Sequence, residues 1–245
     1  RSSDLEAVFE SSAGFSKTRK SVIASLIESR DSFRGIEAAF TRTRPLIAVV
    51  GEIFCRNHRF ANENLIRKIE SYGAEAWISD IAEWVTYTDW TRIMDLRRNG
   101  KRWSRDALTT YLKMRVMKKD EHDLYAPFAD DFRGYEEPEG TSVLVEYARP
   151  YLPVDGARGE MSLSIGRSGY CYDKGVDGII DISPFSCMNG IVTEAVYPSF
   201  SRDHNDIPCK IFYFDGVNSD LDRDIGIFME LVEIGRASCR ERVCH

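Results

Sequence analysis

Four short apolar runs alternate with amphipathic stretches along the chain. The runs cover residues 46–50, 76–79, 179–183 and 210–214, and such runs are typical of strands that are buried on both faces. Between them, apolar residues recur at intervals of three and four, which predicts helices. Strands that are joined by helices run parallel with right-handed crossovers. The pattern therefore predicts an α/β fold in which a parallel sheet has helices on both faces.

Helical periodicity also extends outside the sheet segments. It fills residues 1–44, and it returns over residues 91–119, where Asn99-Gly100 should break the helix. We therefore expect a helical lead-in over residues 1–44 and a Rossmann-like α/β domain with helical insertions over residues 45–233.

Both ends of the chain look foreign to the fold. The chain opens at Arg1, so we expect it to be an internal fragment. Residues 234–245 break from the preceding pattern and resemble the translation of a sequencing adapter, so we expect an artefact tail. A metal site at Cys239, Cys244 and His245 is set aside with that tail.

The remaining cysteines are scattered without a CxxC pair, which fits a reducing cytoplasm rather than a disulfide framework.

Composition excludes some classes of function. The net charge of −6 gives no electrostatic footprint for nucleic acid. No apolar run approaches the roughly 20 residues that span a bilayer, so we expect no membrane association. A GxxxxGK[ST] phosphate loop is also missing from the sequence, so ATP hydrolysis would belong to another domain or protein.

Chemically useful residues follow each of the four predicted strands. They are Gly51-Glu52, Ser79-Asp80, Cys187 and Asp215-Gly216. Carboxyl ends of parallel strands meet at one edge of a sheet, where ligands bind in open α/β folds. Cys187 lies in a strand-to-helix turn, where a helix N-terminus favours anions. The alternatives are a small buried core cysteine at 187, and carboxylates and glycines that only cap helices and make turns.

Several blocks of the sequence, in order, resemble the 2-hydroxyacyl-CoA dehydratase D-component family, and most closely the C-terminal part of CoA-enzyme activase or 2-hydroxyglutaryl-CoA dehydratase-related proteins. The blocks are residues 50–54 with Arg56, residues 60–62 with 65–68, residues 83–88, residues 159–160 with 163–167, residues 177–188, and residues 207–208 with 213–216. Their agreement in the right order makes the resemblance specific, and Cys187 lies in the block that ends at Met188. The sequence departs from the family at Asn189, where proline is common, and at Cys55, where the family has an apolar residue.

The resemblance implies a [4Fe-4S] cluster that cysteines bind, an ATP-hydrolysing activator that supplies one electron, and an acyl-CoA substrate. Cys187 matches a cysteine ligand of the family, and a cluster usually takes four ligands, so we expect the others to lie upstream of Arg1. Cys55, Cys171 and Cys209 are interpreted as core or surface thiols. Through the resemblance, Arg56, Asn62 and Glu160 are further pocket residues. With the strand-end residues Gly51, Glu52, Asp215 and Gly216, they form the predicted cofactor-binding set.

Two other functions stay open. The chain could be a non-catalytic interaction domain of a large activase-type protein, which keeps the fold and docks an activator. It could also be a ligand-binding α/β module without redox chemistry. Arg56, Asn62 and Glu160 would then have ordinary roles in helix capping and surface pairing.

Overall fold

The computed structural model describes residues 15–38, 43–155, 159–216 and 220–243. The chain divides into two compact units. The first comprises residues 1–41 and 101–137, and the second comprises residues 42–100 and 138–245. Residues 101–137 thus belong with the N-terminal helix, although the sequence placed them as an insertion within the α/β domain.

The first unit is helical. Helix α1 (Phe15–Arg34) is accompanied by a second long helix, Arg105–Tyr125, and by a 3₁₀ turn at Ala126–Phe128. The guanidinium of Arg34 binds Asp131 through two nitrogens at 2.8 and 2.9 Å, and Arg30 donates to the carbonyl of Pro127 at 3.1 Å. These contacts explain why the two distant segments form one unit.

The second unit contains a four-stranded sheet and most of the helices. Its strands are β1 (Leu46–Gly51), β2 (Glu75–Ile78), β3 (Gly178–Pro184) and β4 (Cys209–Phe214). Helices are numbered along the whole chain, so Arg105–Tyr125 of the first unit is α5. The helices of the second unit are α2 (Ile53–Asn57), α3 (Leu65–Ser71), α4 (Ala82–Arg98), α6 (Thr141–Ala148), α7 (Met161–Asp173), α8 (Met188–Asp203) and α9 (Leu221–Val243).

All pairings in the sheet are parallel, in the order β2-β1-β3-β4. The predicted parallel sheet is confirmed, and each strand lies within one residue of its predicted bounds.

The predicted helix break also occurs, because α4 ends before Asn99 and α5 begins at Arg105. After β1, helix α3 begins only at Leu65, since Glu63 and Asn64 adopt positive φ angles of 51° and 57°.

Each face of the sheet carries its own apolar core. On one face, Ala48, Val50 and Ile179 pack with residues of α6, α7 and α8. On the other, Ile47, Val49, Ile180 and Ile182 pack with residues of α3 and α9. The alternation along β1 and β3 places successive residues on opposite faces. Helices therefore cover both faces, as the apolar runs predict.

The tail expected to be an artefact continues the last helix. Helix α9 runs without a break from Leu221 to Val243. Arg236 lies within the proposed tail, and its guanidinium pairs with Asp177 at 3.2 Å and donates to the carbonyl of Thr43 at 3.1 Å. The artefact origin stays a prediction, but its first residues do contact the body of the unit.

Candidate functional site

The strand order creates a crevice between the carboxyl ends of β1 and β3. From β1 the chain continues to β2 on one side of the sheet, and from β3 it continues to β4 on the other side. The helices that follow also diverge, because α3 packs on one face and α8 on the opposite face. Such a topological switch point is where open α/β sheets bind their ligands. The residues after β1 and β3 are Glu52 and Cys187, so the crevice lies between two of the predicted site residues.

Gly51 allows the two strand ends to approach closely. Its φ angle is 107°, which disfavours residues with a side chain. A Cβ at this position would lie 2.6 Å from the amide nitrogen of Ile182, and closer still to the carbonyl oxygen of Ile182 and the carboxylate of Asp181. The next amide, of Glu52, donates to the Ile182 carbonyl at 2.8 Å. The glycine predicted to bind a cofactor is thus required by backbone packing.

Glu52 lies at the N-cap of α2. Its Oε2 accepts a hydrogen bond from the amide of Cys55 at 2.7 Å, which is an ordinary helix cap. The side chain is half-buried. Burial, followed by the charge of Glu52, raises the pKa of the Cys55 thiol to about 12. Cys55 therefore stays a protonated core thiol at neutral pH, as the sequence analysis interpreted it.

Cys187 lies at the N-cap of α8, in extended conformation, and its amide donates to the Pro184 carbonyl at 3.1 Å. Unlike the buried thiols of Cys55 and Cys171, its side chain is partly exposed. Burial is the main cause that raises the pKa of Cys55, which follows β1, and that of Tyr213, on β4, and electrostatic interaction with Cys187 adds a smaller contribution to both. Cys187 thus lies within electrostatic reach of both neighbours of its strand, at the carboxyl edge of the sheet.

Glu160 reaches the same edge from the loop before α7. Burial and, after it, the charge of Glu52 raise the pKa of its carboxyl to about 7, against the opposing effects of Arg56 and the Ile53 amide. One oxygen, Oε2, makes no hydrogen bond to the residues that the structure describes. The preceding Gly159 packs against the side chain of Asn189, two residues after Cys187. Glu160 is therefore brought together with Glu52 and the Cys187 turn.

Arg56 takes part in a buried ion cluster. It is 4% exposed and pairs through Nη1 with Oε1 of Glu83 at 3.1 Å. The second oxygen of Glu83 lies 3.8 Å from the guanidinium of Arg167, which is 1% exposed and stands over the rings of Trp77 and Tyr170. Glu83 and Arg167 were not among the predicted site residues. Both lie in blocks that carry the family resemblance, and this was the sequence signal that could have identified them.

Asn62 supports the turn that holds Arg56. Its amide nitrogen donates to the carbonyls of Cys55 at 2.8 Å and Arg56 at 3.3 Å, at the end of α2. The side chain is buried. The bonds that Asn62 makes are therefore those of a helix-terminating residue, next to the predicted pocket residue Arg56.

Asp215 and Gly216 follow β4 at the same edge but outside the crevice. β4 neighbours β3 and is separated by it from β1. Both residues are exposed, and Gly216 has a φ angle of 80° that fits a tight turn. The structure thus groups five predicted residues, Gly51, Glu52, Arg56, Glu160 and Cys187, and leaves Asp215-Gly216 at the margin.

A buried polar network lies beneath the crevice. Asp181, in the middle of β3, accepts a hydrogen bond from the Tyr197 hydroxyl at 3.1 Å, and that hydroxyl lies 3.2 Å from Ser168 Oγ. Burial raises the pKa of Asp181 to about 6, and hydrogen bonds from Thr193 and Tyr197 oppose the rise. A single carboxylate among Ile179, Ile180 and Ile182 was the sequence signal that could have identified it.

An aromatic pocket of about 280 Å³ opens beside Gly159. Its lining residues include Trp84, Tyr87, Trp90 and Met94 from α4. Burial raises the pKa of Tyr87, and the neighbouring Ser162 and the backbone of Gly159 oppose the rise. The pocket is thus next to the loop that carries Glu160.

No family model, curated protein or solved structure matches this chain. The resemblance to the dehydratase family therefore stays a prediction, and the site has to be judged on its own geometry.

That geometry provides a partly exposed thiol at the edge of the sheet, and the described residues form no complete metal site. Within the described ranges, no group of three or more histidine, cysteine or acidic residues is arranged to hold a metal ion. A cubane cluster usually takes four ligands. Cys187 fits one of them, being a partly exposed thiol at the N-terminus of α8. The described residues do not supply the other three.

None of the helices within the described segments combines the length and the apolar content that a bilayer crossing needs.

Proposed function

We propose that this chain is part of a [4Fe-4S]-dependent 2-hydroxyacyl-CoA dehydratase- or reductase-like protein of the cytoplasm, which receives an electron from an ATP-hydrolysing activator. The observation that carries the proposal is the position of Cys187. A partly exposed thiol lies at the N-terminus of α8, at the topological switch point of a parallel sheet. The family resemblance supplies the chemistry.

In this proposal Cys187 is one ligand of the cluster, and cysteines outside the described residues supply the others. The bound cluster would provide one-electron transfer to an acyl-CoA thioester. The protein's own residues hold the ligand in place. Gly51 lets β1 and β3 approach, the Glu52 amide joins the two strand ends, and the Pro184 carbonyl binds the Cys187 amide.

The neighbouring groups also suit a substrate next to Cys187. The aromatic pocket beside Gly159 offers apolar surface for an acyl group. Glu160 and Arg56 provide a carboxyl and a buried guanidinium near the same turn. These residues would orient a polar thioester and limit the entry of water.

The test is iron binding by the full-length protein that contains this chain, purified without oxygen. We expect Cys187→Ser to lower the iron content and the broad visible absorption of the cluster, because serine keeps the size but loses the soft thiolate that iron prefers. Cys171→Ser and Cys209→Ser are the matched controls, since Cys171 is buried and burial raises the pKa of Cys209 well above its ordinary value. If all three variants retain a full cluster, Cys187 is not a ligand.

A second candidate is a non-catalytic interaction domain that docks the activator. Exposed apolar side chains around Cys187 favour it: Phe185 is 66% exposed, Met188 62% and Ile191 54%. Exposed apolar surface of this kind often marks a protein contact. Phe185→Asp should then abolish co-purification with the activator while leaving the iron content unchanged. If the iron content falls and docking persists, the catalytic proposal is favoured.

A further inference from the structure

A second cleft of about 330 Å³ lies beside the switch crevice, on the β2 side of the sheet. It is lined by basic and amide side chains from α2, α3 and the turn that joins them. These are Arg56, Asn57, Arg59, Asn62, Asn64 and Arg67, together with Ile66, Glu70 and Ile78. Three arginines face one glutamate, so the lining is positively charged in a protein whose net charge is −6.

The arginines of the cleft have unused capacity to donate hydrogen bonds. Arg56 is 4% exposed and pairs with Glu83, while its Nε makes no hydrogen bond within the described part of the chain. Arg67 pairs with Glu70 at 3.3 Å, but both side chains are exposed, and such a surface pair is worth little and exchanges easily. Among the described residues, none forms an ion pair or a side-chain hydrogen bond with Arg59.

Among the amide side chains, Asn57 and Asn62 donate to backbone carbonyls and fix the shape of the wall, and Asn64 adds a neutral donor. Asn62 is buried and bonds the carbonyls at the end of α2, so its position is set by the backbone. Asn64 has a left-handed backbone, and its side chain forms no cap to α3. The cleft therefore combines a fixed, buried guanidinium with exposed guanidinium groups and amides that can adjust.

We propose that this cleft binds the phosphate group of a small molecule. A phosphate has several acceptor oxygens in a tetrahedral arrangement, and it is bound best by arginines that donate from different directions. Arg59 supplies a positive charge, Arg67 is held only by an exposed surface pair, and the volume leaves room for more than one phosphate. This proposal does not depend on an iron–sulfur cluster, because apart from Arg56 the cleft residues lie outside the crevice of Cys187.

The test is calorimetric titration of the 245-residue chain with orthophosphate, pyrophosphate and adenosine diphosphate at low ionic strength, with malonate as a carboxylate control. We expect pyrophosphate or adenosine diphosphate to bind at least tenfold more tightly than malonate. Tighter binding of adenosine diphosphate than of orthophosphate identifies an organic diphosphate as the ligand. Equal binding of these two compounds identifies a single phosphate. Failure of all three phosphates to bind, or equal binding of malonate, overturns the proposal.

Two substitutions that should change the affinity for phosphate in opposite directions test where it binds. Arg59→Gln should weaken phosphate binding about tenfold, since it removes a charged donor on an exposed side chain. Glu70→Gln should strengthen it about threefold, since it removes the one carboxylate among the lining residues. Arg223→Gln is the matched control, because Arg223 is exposed on α9 and pairs only locally with Asp220 and Asp224 in the described structure. If Glu70→Gln weakens binding, or if Arg223→Gln weakens it as much as Arg59→Gln, the phosphate does not bind in this cleft.

Discussion

The carboxylate of Asp181 accepts a hydrogen bond from the hydroxyl of Tyr197 at 3.1 Å, and both side chains are buried between β3 and α8. The same carboxylate is close to the position that a Cβ of Gly51 would take. Asp181 therefore lies directly beneath the crevice. A carboxylate in this position has to be kept neutral or be satisfied by hydrogen bonds, because an isolated buried charge is strongly unfavourable.

The stability of the protein should therefore depend on the ionisation of Asp181. Its pKa rises from an ordinary 3.8 to about 6, chiefly through burial. Between these values the folded state holds a proton that the unfolded state releases, so stability falls as pH rises through this window and levels off above pH 6. The difference corresponds to about 3 kcal/mol.

Asp181→Asn should remove that dependence. The amide oxygen can still accept from Tyr197, and the amide nitrogen can donate to Thr193, but no charge is buried. We expect equal stability of the two proteins below pH 3.8 and a variant that is more stable by up to about 3 kcal/mol at pH 7. Urea unfolding at several pH values measures this. Glu160 titrates in both proteins, so only their difference is informative, and a variant that is less stable at pH 7 contradicts the assignment.

Gly51 should tolerate no side chain. We expect Gly51→Ala to destabilise the second unit by about 3 kcal/mol or more, since the Cβ would meet the backbone of Ile182 at a φ angle of 107°. Gly73→Ala is the control: its φ angle is also positive, at 84°, but a Cβ there meets nothing within 4 Å. The control should cost about 1 kcal/mol. Equal losses in thermal unfolding would show that backbone strain alone, and not the approach of β1 to β3, explains the glycine.

The sheet could be predicted because its strands are apolar on both faces. Residues 46–50 form a continuous apolar run, and residues 179–183 are apolar apart from Asp181 and Ser183; a parallel sheet that is covered by helices produces that pattern. The Cys187 turn was predictable for the same reason, because Pro184 ends the strand and the helical spacing resumes after it. Local patterns sufficed for these features.

Other features depend on contacts between distant residues. Arg56 and Glu83 are 27 residues apart, and nothing in their local sequence shows that they pair. The association of α1 with residues 101–137 similarly depends on Arg34 and Asp131, which are separated by 97 residues. Periodicity identifies the helices in these segments, but it does not determine which of them pack together.

The buried ion cluster of Arg56, Glu83 and Arg167 should be sensitive to the loss of its one carboxylate. Glu83→Gln leaves two buried guanidinium groups without their shared anion, so we expect a loss of about 3–5 kcal/mol. Glu146→Gln is the control, since its partner Arg149 is exposed and the pair lies at the surface. That change should cost less than about 1 kcal/mol. A loss at Glu83 no larger than at Glu146, in urea unfolding, would show that the cluster does not hold the turn after β1.

The end of α9 should be dispensable beyond Arg236. Arg236 pairs with Asp177, and Asp177 accepts a hydrogen bond from the amide of Leu46 at the start of β1. Deletion of residues 237–245 should leave the melting temperature nearly unchanged, as expected for a tail that was not selected to pack. Deletion of residues 234–245 also removes the Arg236 pair, and it should cost up to about 1 kcal/mol, which corresponds to a shift of about 2–4 °C. A drop of several degrees for the shorter deletion would contradict the artefact origin of the tail.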